Sequence, residues 1–155
     1  MLDNADFQVV SPVFRNGHAI PSQYTCKGHN VNPPLNILNV PPQAQSLALI
    51  MHDPDGISGD YLHWLMWDIP PVTESISVND VPVGAIQGAN GSGKAGYMGP
   101  CPPKGSGAHR YKFHFYALDS PMNLASGASR KELEAAMKGH IIDQYTLVGT
   151  FSADS

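Results

Sequence analysis

The chain has 155 residues and a formal net charge of −4 at pH 7. That length suits one domain with its own hydrophobic core. The negative charge argues against a nucleic-acid-binding protein and against electrostatic attachment to a membrane, since both need a basic surface. Only 14% of the residues are charged, whereas 15 are glycine and 14 are proline. This composition predicts many turns and short strands rather than long helices.

Two features bear on the cellular compartment. The segment MLDNADFQVV (1–10) is acidic and has no long apolar core. It is typical of neither a secretory signal nor a membrane span, so we expect a cytoplasmic protein without stable membrane insertion. The two cysteines, Cys26 and Cys101, form no CxxC pattern. Free thiols are the expectation for a cytoplasmic protein, and a disulfide is the alternative because both cysteines lie in Gly/Pro-rich sequence.

The first half of the chain predicts strands separated by loops. Residues 7–19 contain a short alternating piece that predicts a first strand ending near Gly17, and the Pro, Gly and Asn residues of 20–38 predict an ordered loop. A continuous apolar run indicates a buried strand over 45–52, and a second strand is predicted over 61–68. If that second strand is regular, one face carries Tyr61, His63, Leu65 and Trp67.

The second half predicts one long strand among loops. Residues 73–99 have weak periodicity and many glycines, which predicts mostly loop with one or two short strands. Alternation is clearest over 109–118. One face of that strand carries His109, Tyr111, Phe113, Phe115 and Ala117.

A helix is predicted near the end of the chain. Ser129 and Glu132 form a capping-box pattern that begins it, and Gly139 ends it. Residues 140–146 are compatible with a second helical stretch, and 147–151 with a last strand.

Two familiar ligand-binding motifs are incomplete. Residues 88–94 match the spacing of a phosphate-binding loop, but Ala95 stands where the metal-binding hydroxyl belongs, and the sequence that follows cannot open a helix. Residues 53–56 resemble the start of a calcium loop, yet glycine comes too early and Trp64 occupies the position of the bidentate glutamate. We therefore expect neither site.

Two polar stretches carry the candidate chemistry, HDPDGISGDYLHW (52–64) and GPCPPKGSGAHRY (99–111). We expect them to meet in space and to form one small anion-binding pocket, with the backbone of 99–101 as a wall. An imidazolium and a phenol donate hydrogen bonds to an anion, and glycine lets the chain approach closely and offer N–H groups. The side chains expected to form this pocket are Asp53, His63, His109 and Tyr111.

The charge of Asp53 suggests an indirect role, because a carboxylate repels an anion. We expect Asp53 to bond to His63, fix its tautomer and raise its pKa, so that a cation faces the ligand. Affinity would then fall as pH rises through the pKa of His63. The structural alternative is that each histidine is simply a satisfied polar residue and that Asp-Pro-Asp-Gly is a turn. Arg110 is expected to face away from the pocket and to pair with a carboxylate. No direct role is expected for His18, His29, His52, His114 or His140, although His52 lies near the pocket sequence.

Four segments together resemble the phosphatidylethanolamine-binding protein family, in its bacterial and archaeal Raf kinase inhibitor-like branch. They are YTCKGHNVNPPL (24–35), DPDG…HWLMWDIP (53–70), GYMGPCPPKGSGAHRYKFHFYALD (96–119) and ASRKELEAAMKGHIIDQYTLVGTF (128–151). They occur in the family's order and span most of the chain, and the DPD…H block combined with GxHRY is specific.

The resemblance implies a mainly β fold in one domain over 1–155. A large antiparallel sheet would pack with a smaller sheet and a few short peripheral helices. It also implies a small anion pocket near the surface. The pocket positions of the family fall here on Asp53, Asp55, His63, Gly99, Cys101, Pro102, His109 and Tyr111.

The sequence departs from the family's pattern in three respects. Gly56-Ile57 replaces the Ala-Pro that often follows DPD, which changes one lip of the implied pocket. Cys26 and Cys101 fall in YTC and GPCPP patterns that resemble prokaryotic members, and a disulfide beside the pocket is the minority alternative. The long C-terminal helix of animal members is not predicted, which should leave the pocket more open.

The resemblance implies a non-enzymatic, regulatory protein that binds a small anion such as phosphate, a phosphoethanolamine-like group or a carboxylate. Family members bind phospholipid headgroups, and some inhibit kinases or serine proteases, so a kinase or protease partner and a homodimer are implied. We expect neither a cofactor nor a metal. The first alternative is a metal-dependent hydrolase that uses the Asp/His cluster, although no HxH or HExxH spacing supports it. The second is a protein-interaction module with a vestigial pocket.

Overall fold

The computed structural model describes residues 6–154. Predictions that concern residues 1–5 lie outside this range, including half of the acidic N-terminal segment. The described elements are β1 (Gln8–Val10), β2 (His18–Ala19), a turn of 3-10 helix (Ser22–Tyr24), β3 (Leu35–Leu38), β4 (Ser46–Asp53), β5 (Tyr61–Ile69), β6 (Ser75–Ile76), β7 (Ile86–Gln87), β8 (His109–Leu118), α1 (Arg130–Met137) and β9 (Ile141–Phe151).

Two sheets build the fold. The larger has the strand order β2-β9-β8-β4-β5-β7, and all its pairs are antiparallel except the short β2–β9 contact. The smaller sheet has the order β1-β3-β6 and is antiparallel throughout. The predicted architecture, a large sheet with a small one and little helix, is confirmed.

The large sheet is covered on both faces, which explains why every residue of β4 is buried. Alternate residues of β4 point in opposite directions. Leu47, Leu49 and Met51 pack in a core that includes the small sheet. Ala48 and Ile50 pack in a second core that includes Leu133 and Met137 of α1.

The three strands with the clearest apolar patterns were predicted accurately. The bounds of β8 agree with the prediction, and those of β4 and β5 agree within one residue. In α1, the Ser129 side chain accepts from the Glu132 backbone N–H, and the Glu132 side chain accepts from the Ser129 backbone N–H. The predicted capping box is therefore confirmed.

Three local predictions were wrong. The first strand ends at Val10 rather than near Gly17, and the predicted loop over 20–38 contains β3. Residues 140–146 form no helix: β9 begins at Ile141 and pairs with β8 along its whole length. Paired isoleucine, tyrosine and threonine side chains favour a strand, and this long-range pairing overrides the weak helical pattern.

A histidine pair lies on the face of the large sheet that α1 covers. His52 Nδ1 donates to Asp60 Oδ1 at 2.6 Å, and the Nε2 atoms of His52 and His114 are 2.8 Å apart. The hydroxyl of Thr146 is 2.7 Å from His114 Nδ1. These contacts assign a proton order in which Thr146 donates to His114 and His114 donates to His52. Burial, followed by the electrostatic influence of neighbouring His52, lowers the pKa of His114 to about 4.

Acidification is expected to destabilise the protein through His114. An unfolded histidine takes up its proton near pH 6.5, whereas the folded His114 resists until about pH 4, because its pKa is lowered there. The stabilisation is therefore complete above pH 6.5 and is lost as the pH falls toward 4. Because His114 is only half buried, we expect a loss of about 1–2 kcal/mol rather than the full shift.

Urea unfolding at pH 7.5, 5.5 and 4.5 measures this loss. His114→Gln should flatten the pH dependence, and the exposed His29→Gln should leave it unchanged. An equal loss in wild type and His114→Gln would contradict the assignment.

Candidate anion-binding site

Three strand ends meet at one edge of the large sheet. Asp53 ends β4 and pairs with Tyr61, which begins β5, while His52 pairs with Lys112 near the start of β8. Because neighbouring strands run antiparallel, the end of β4 lies beside the starts of the other two. The structure thereby brings the two polar stretches, 52–64 and 99–111, together.

A β-bulge positions His63. Met51 pairs with Trp64 and His52 pairs with Leu62, so His63 is an extra residue in β5. His63 therefore lies on the same side of the sheet as Trp64, whose ring is part of the core with the small sheet. The predicted sharing of one face by His63, Leu65 and Trp67 was wrong, since Leu65 and Trp67 pack toward α1. The bulge turns the imidazole toward Tyr111, at a ring-centroid distance of 5.2 Å.

The site is a cavity of about 360 Å³ at this edge of the sheet. This volume is at the small end of the range for ligand pockets. Seven of the eight residues assigned by resemblance line it: Asp53, His63, Gly99, Cys101, Pro102, His109 and Tyr111. Gly56 and Ile57, which the sequence placed at one lip, also line it. The lining residues that were not singled out from the sequence are Ser58, Gly59, Asp60, Tyr61, Met98 and Pro103.

Asp55, the eighth assigned residue, does not line the cavity. Its carboxylate accepts from the Arg110 guanidinium at 2.8 and 2.9 Å and from the Arg110 backbone N–H at 2.9 Å. These hydrogen bonds lower the pKa of Asp55 to about 2. Asp55 thus connects the turn after β4 to the start of β8. Arg110 pairs with a carboxylate, as its position in the sequence predicted.

Asp53 holds His109 rather than His63, so that part of the prediction was wrong. Asp53 Oδ2 accepts from His109 Nδ1 at 2.7 Å, and both side chains are buried. The other oxygen of Asp53 accepts from the backbone N–H of Asp55 at 2.8 Å. The carboxylate is therefore occupied by the protein itself.

The second nitrogen of His109 is also bonded. His109 Nε2 lies 3.0 Å from Ser106 Oγ, and that hydroxyl donates to the Pro103 carbonyl at 2.6 Å. With Nδ1 bonded to Asp53, both ring nitrogens of His109 are occupied by protein partners, and neither is free to contact a ligand.

His63 has a different environment. Its Nδ1 donates to the Met98 carbonyl at 2.6 Å. Burial lowers the pKa of His63, so the predicted rise was wrong. Asp53 favours the charged form only at a distance, because His109 occupies its carboxylate.

Two polar atoms of the cavity have no partner among residues 6–154. His63 Nε2 makes no hydrogen bond, and neither does the Tyr111 hydroxyl, although these residues are only 4% and 1% exposed. Across the same residues, no fully enclosed side-chain N or O lacks a partner. Both atoms must therefore open onto the cavity. Burial, reinforced by Asp53, raises the pKa of Tyr111, so its hydroxyl remains a donor.

A disulfide anchors the wall of the cavity. Cys26 and Cys101 are bonded, so the expectation of free thiols was wrong and the minority alternative is confirmed. Cys26 N–H also donates to the Pro100 carbonyl at 3.1 Å, and Gly99 N–H donates to Asn30 Oδ1 at 2.8 Å. The segment from Cys26 to Asn30 thus supports the wall from behind. The segment YTCKGHN (24–30) was noted in the sequence for its resemblance to the family, but no role was predicted for Asn30.

Replacing Gly99 with alanine is expected to weaken both folding and ligand binding. A Cβ at Gly99 would lie 2.4 Å from Asn30 Oδ1 and 2.5 Å from the Tyr24 carbonyl oxygen, so the wall would have to move. Overpacking of this kind costs about 1–3 kcal/mol. Thermal unfolding and phosphate titration of Gly99→Ala measure the two effects.

Gly93→Ala is the control for that variant, because Gly93 has a positive φ of 85° but no heavy atom near its would-be Cβ. Gly93→Ala should lose some stability through backbone strain and keep its affinity. Unchanged affinity in Gly99→Ala would show that the wall does not shape the site.

One lip of the cavity is formed by Gly56 and Ile57, which replace the Ala-Pro common in the family. A Cβ at Gly56 would lie 2.3 Å from the Gly59 carbonyl oxygen, so this turn requires glycine for its close backbone approach. Ile57, which follows, is 71% exposed and lines the cavity mouth near Tyr61. The replacement therefore produces a tight turn with an apolar rim.

Comparison with known proteins agrees with this geometry. Residues 10–152 match the phosphatidylethanolamine-binding protein family. The chain belongs to this family. It is 49% identical over 148 residues to a UPF0098 protein of Pyrococcus horikoshii, covering 92% of this chain and 75% of that protein. It is 41% identical over 143 residues to LppC of Mycobacterium tuberculosis, which is named as a lipoprotein, covering 92% and 71%.

Solved structures show the same fold. A phosphatidylethanolamine-binding protein homologue of Chlamydia trachomatis superposes with a TM-score of 0.91 at 38% identity, covering 96% of this chain and 98% of the other. Escherichia coli YbcL, described as a member of the mammalian family, gives 0.88 at 28% identity and covers 96% and 99%. Among residues 6–154, no helix is long and apolar enough to cross a membrane.

Proposed function

We propose that this protein binds a small phosphate-like anion without catalysing a reaction, and that its role is regulatory. The observation that carries the proposal is the pair of buried polar atoms, His63 Nε2 and Tyr111 Oη, that face the cavity without a protein partner. Buried polar groups are costly unless they are hydrogen-bonded. A ligand with oxygen atoms of its own supplies the missing bonds.

The size and shape of the cavity fit this ligand class. A volume of about 360 Å³ accommodates a phosphate group with a short organic substituent. Ile57 and Tyr61 at the mouth offer apolar contact to that substituent. A carboxylate anion would use the same donor, and the names of the relatives support the phosphate over it.

The hydrolase alternative has less support. Among the described residues, no three His, Cys, Asp or Glu side chains are grouped to hold a metal ion. Both oxygens of Asp53 and both nitrogens of His109 are occupied by protein partners. Asp53 and His109 would therefore have to break existing bonds before either could act as a general base.

The partners and the location remain part of the proposal. A kinase or protease partner and a homodimer are implied by the family alone. The disulfide bears on the predicted cytoplasmic location, since such bonds persist in oxidising compartments and in the cytoplasm of hyperthermophiles. One similar protein comes from Pyrococcus horikoshii, and another is named as a lipoprotein of Mycobacterium tuberculosis.

Calorimetric titration of phosphate and phosphoethanolamine at pH 6.5 tests the site. Tyr111→Phe keeps the buried ring and removes the hydroxyl, so affinity should fall by about tenfold. His63→Ala should abolish measurable binding. Tyr116→Phe is the matched control, because Tyr116 lies on the opposite face of the same strand and should bind as wild type.

Absence of binding to the wild-type protein would overturn the anion-binding proposal. A protein-interaction module with a vestigial pocket would then be the better-supported function. Equal affinity in wild type, Tyr111→Phe and His63→Ala would place the anion elsewhere on the molecule.

A further inference from the structure

We infer that the ligand must itself bring a proton to His63: the site takes a singly charged phosphoryl group with one P–OH, as in a phosphate monoester or a phosphonate monoanion. This inference rests on the proposed function and specifies the ligand's protonation state. It follows from the tautomer of one histidine and from the charge balance of the cavity.

The Met98 carbonyl determines the tautomer. A carbonyl oxygen only accepts hydrogen bonds, so His63 Nδ1 carries the hydrogen at the 2.6 Å contact. In a neutral imidazole the other nitrogen is then an acceptor. The atom that faces the cavity, His63 Nε2, therefore presents a lone pair rather than an N–H.

The groups around His63 keep it neutral. The carboxylate that favours a charged His63, Asp53 of β4, is bonded to His109. His52, also on β4, and His109, on β8, both disfavour a further positive charge, while Tyr61 and Tyr111 pack edge-to-face with the His63 ring at centroid distances of 5.1 and 5.2 Å. Burial lowers the pKa of His63 in the same sense and is the largest cause.

The cavity also has no free cation for a doubly charged ligand. Its lining contains no lysine or arginine among the described residues. Both ring nitrogens of His109 are bonded within the protein, and the other lining carboxylate, Asp60, is bonded to His52 at 2.6 Å and to Arg130 at 2.9 Å. A dianion would face an uncompensated lone pair in a buried site, which is unfavourable.

A monoanion with one hydroxyl satisfies both open atoms. Its charged oxygen accepts from the Tyr111 hydroxyl, and its P–OH donates to His63 Nε2. A phosphodiester has the same single charge but no hydroxyl, so it leaves His63 Nε2 unsatisfied. The same chemistry therefore separates free phosphate monoesters from the diester group of an intact phospholipid.

Titration of the wild-type protein with four small ligands tests this inference. At pH 5.5, methyl phosphate and methylphosphonate should each bind about 10- to 100-fold more tightly than dimethyl phosphate or sulfate, because only the first two carry a P–OH. As pH rises, methyl phosphate should weaken above about pH 6, where a phosphate monoester loses its second proton. Methylphosphonate, whose second pKa is higher, should weaken at a correspondingly higher pH.

The outcomes distinguish a proton that the ligand supplies from a proton that His63 supplies. If affinity for all four ligands fell with one common midpoint, or if dimethyl phosphate bound as tightly as methyl phosphate, His63 would be the proton source and the inference would be wrong. The proposed function, binding of an anion in this cavity, would still be supported. If none of the four bound at pH 5.5 or pH 8, the proposed function itself would fail.

Nitrogen-15 NMR of the His63 ring gives a readout independent of affinity. We expect the neutral Nδ1–H tautomer in the free protein and in the complex with methyl phosphate. A doubly protonated ring in the complex would overturn the inference.

Discussion

Replacing both Cys26 and Cys101 with serine is expected to lower the free energy of unfolding by about 4 kcal/mol, because the disulfide closes a loop whose ends are 75 residues apart. A cross-link of that span removes many conformations from the unfolded chain. Equilibrium urea denaturation of the oxidised wild type and of the double variant measures the difference.

Wild-type protein treated with a dithiol reductant is the control for the double serine variant. Both should unfold at the same urea concentration, since both lack the cross-link. Anion binding should persist in each, because Gly99 N–H still donates to Asn30 Oδ1 and the backbone N–H of residue 26 still donates to the Pro100 carbonyl. A loss below about 1 kcal/mol would contradict the expected contribution of the cross-link.

Asp53→Ala is expected to destabilise the protein by about 1–3 kcal/mol, because it leaves the buried Nδ1–H of His109 without its acceptor. A buried donor without a partner costs its full desolvation penalty. Asp53→Asn keeps an oxygen that can accept from His109, so its loss should be smaller. Thermal and urea unfolding of the two variants measure both effects.

Asp55→Ala is the matched control, two residues further along the chain. Its ion pair with Arg110 is largely solvent-exposed, and exposed pairs contribute little to stability. An equal loss in Asp53→Ala and Asp55→Ala would indicate that the turn, rather than the buried pair, determines the stability of this region.

The parts of the fold that sequence reasoning found are those with strong local patterns. The alternation of β8 and the capping box of α1 each depend on residues close together in the chain. The family blocks located seven lining residues of the cavity. Antiparallel order then brought the polar strand ends to one edge of the sheet.

The parts that it missed depend on partners distant in the chain. The first half of β9 is a strand because β8 pairs with it. Asp53 bonds to His109 rather than His63 because the bulge directs His63 Nδ1 to the Met98 carbonyl. No local pattern reports which histidine a carboxylate reaches across a sheet.

The bulge in β5 also makes the site sensitive to chain length. Deleting Leu62 would let His63 take the regular position opposite His52, so the strand would still pair with β4. Its imidazole would then point toward α1, on the opposite face of the sheet from the cavity. Deleting Leu62 would thus abolish binding while the protein still folds and still contains His63.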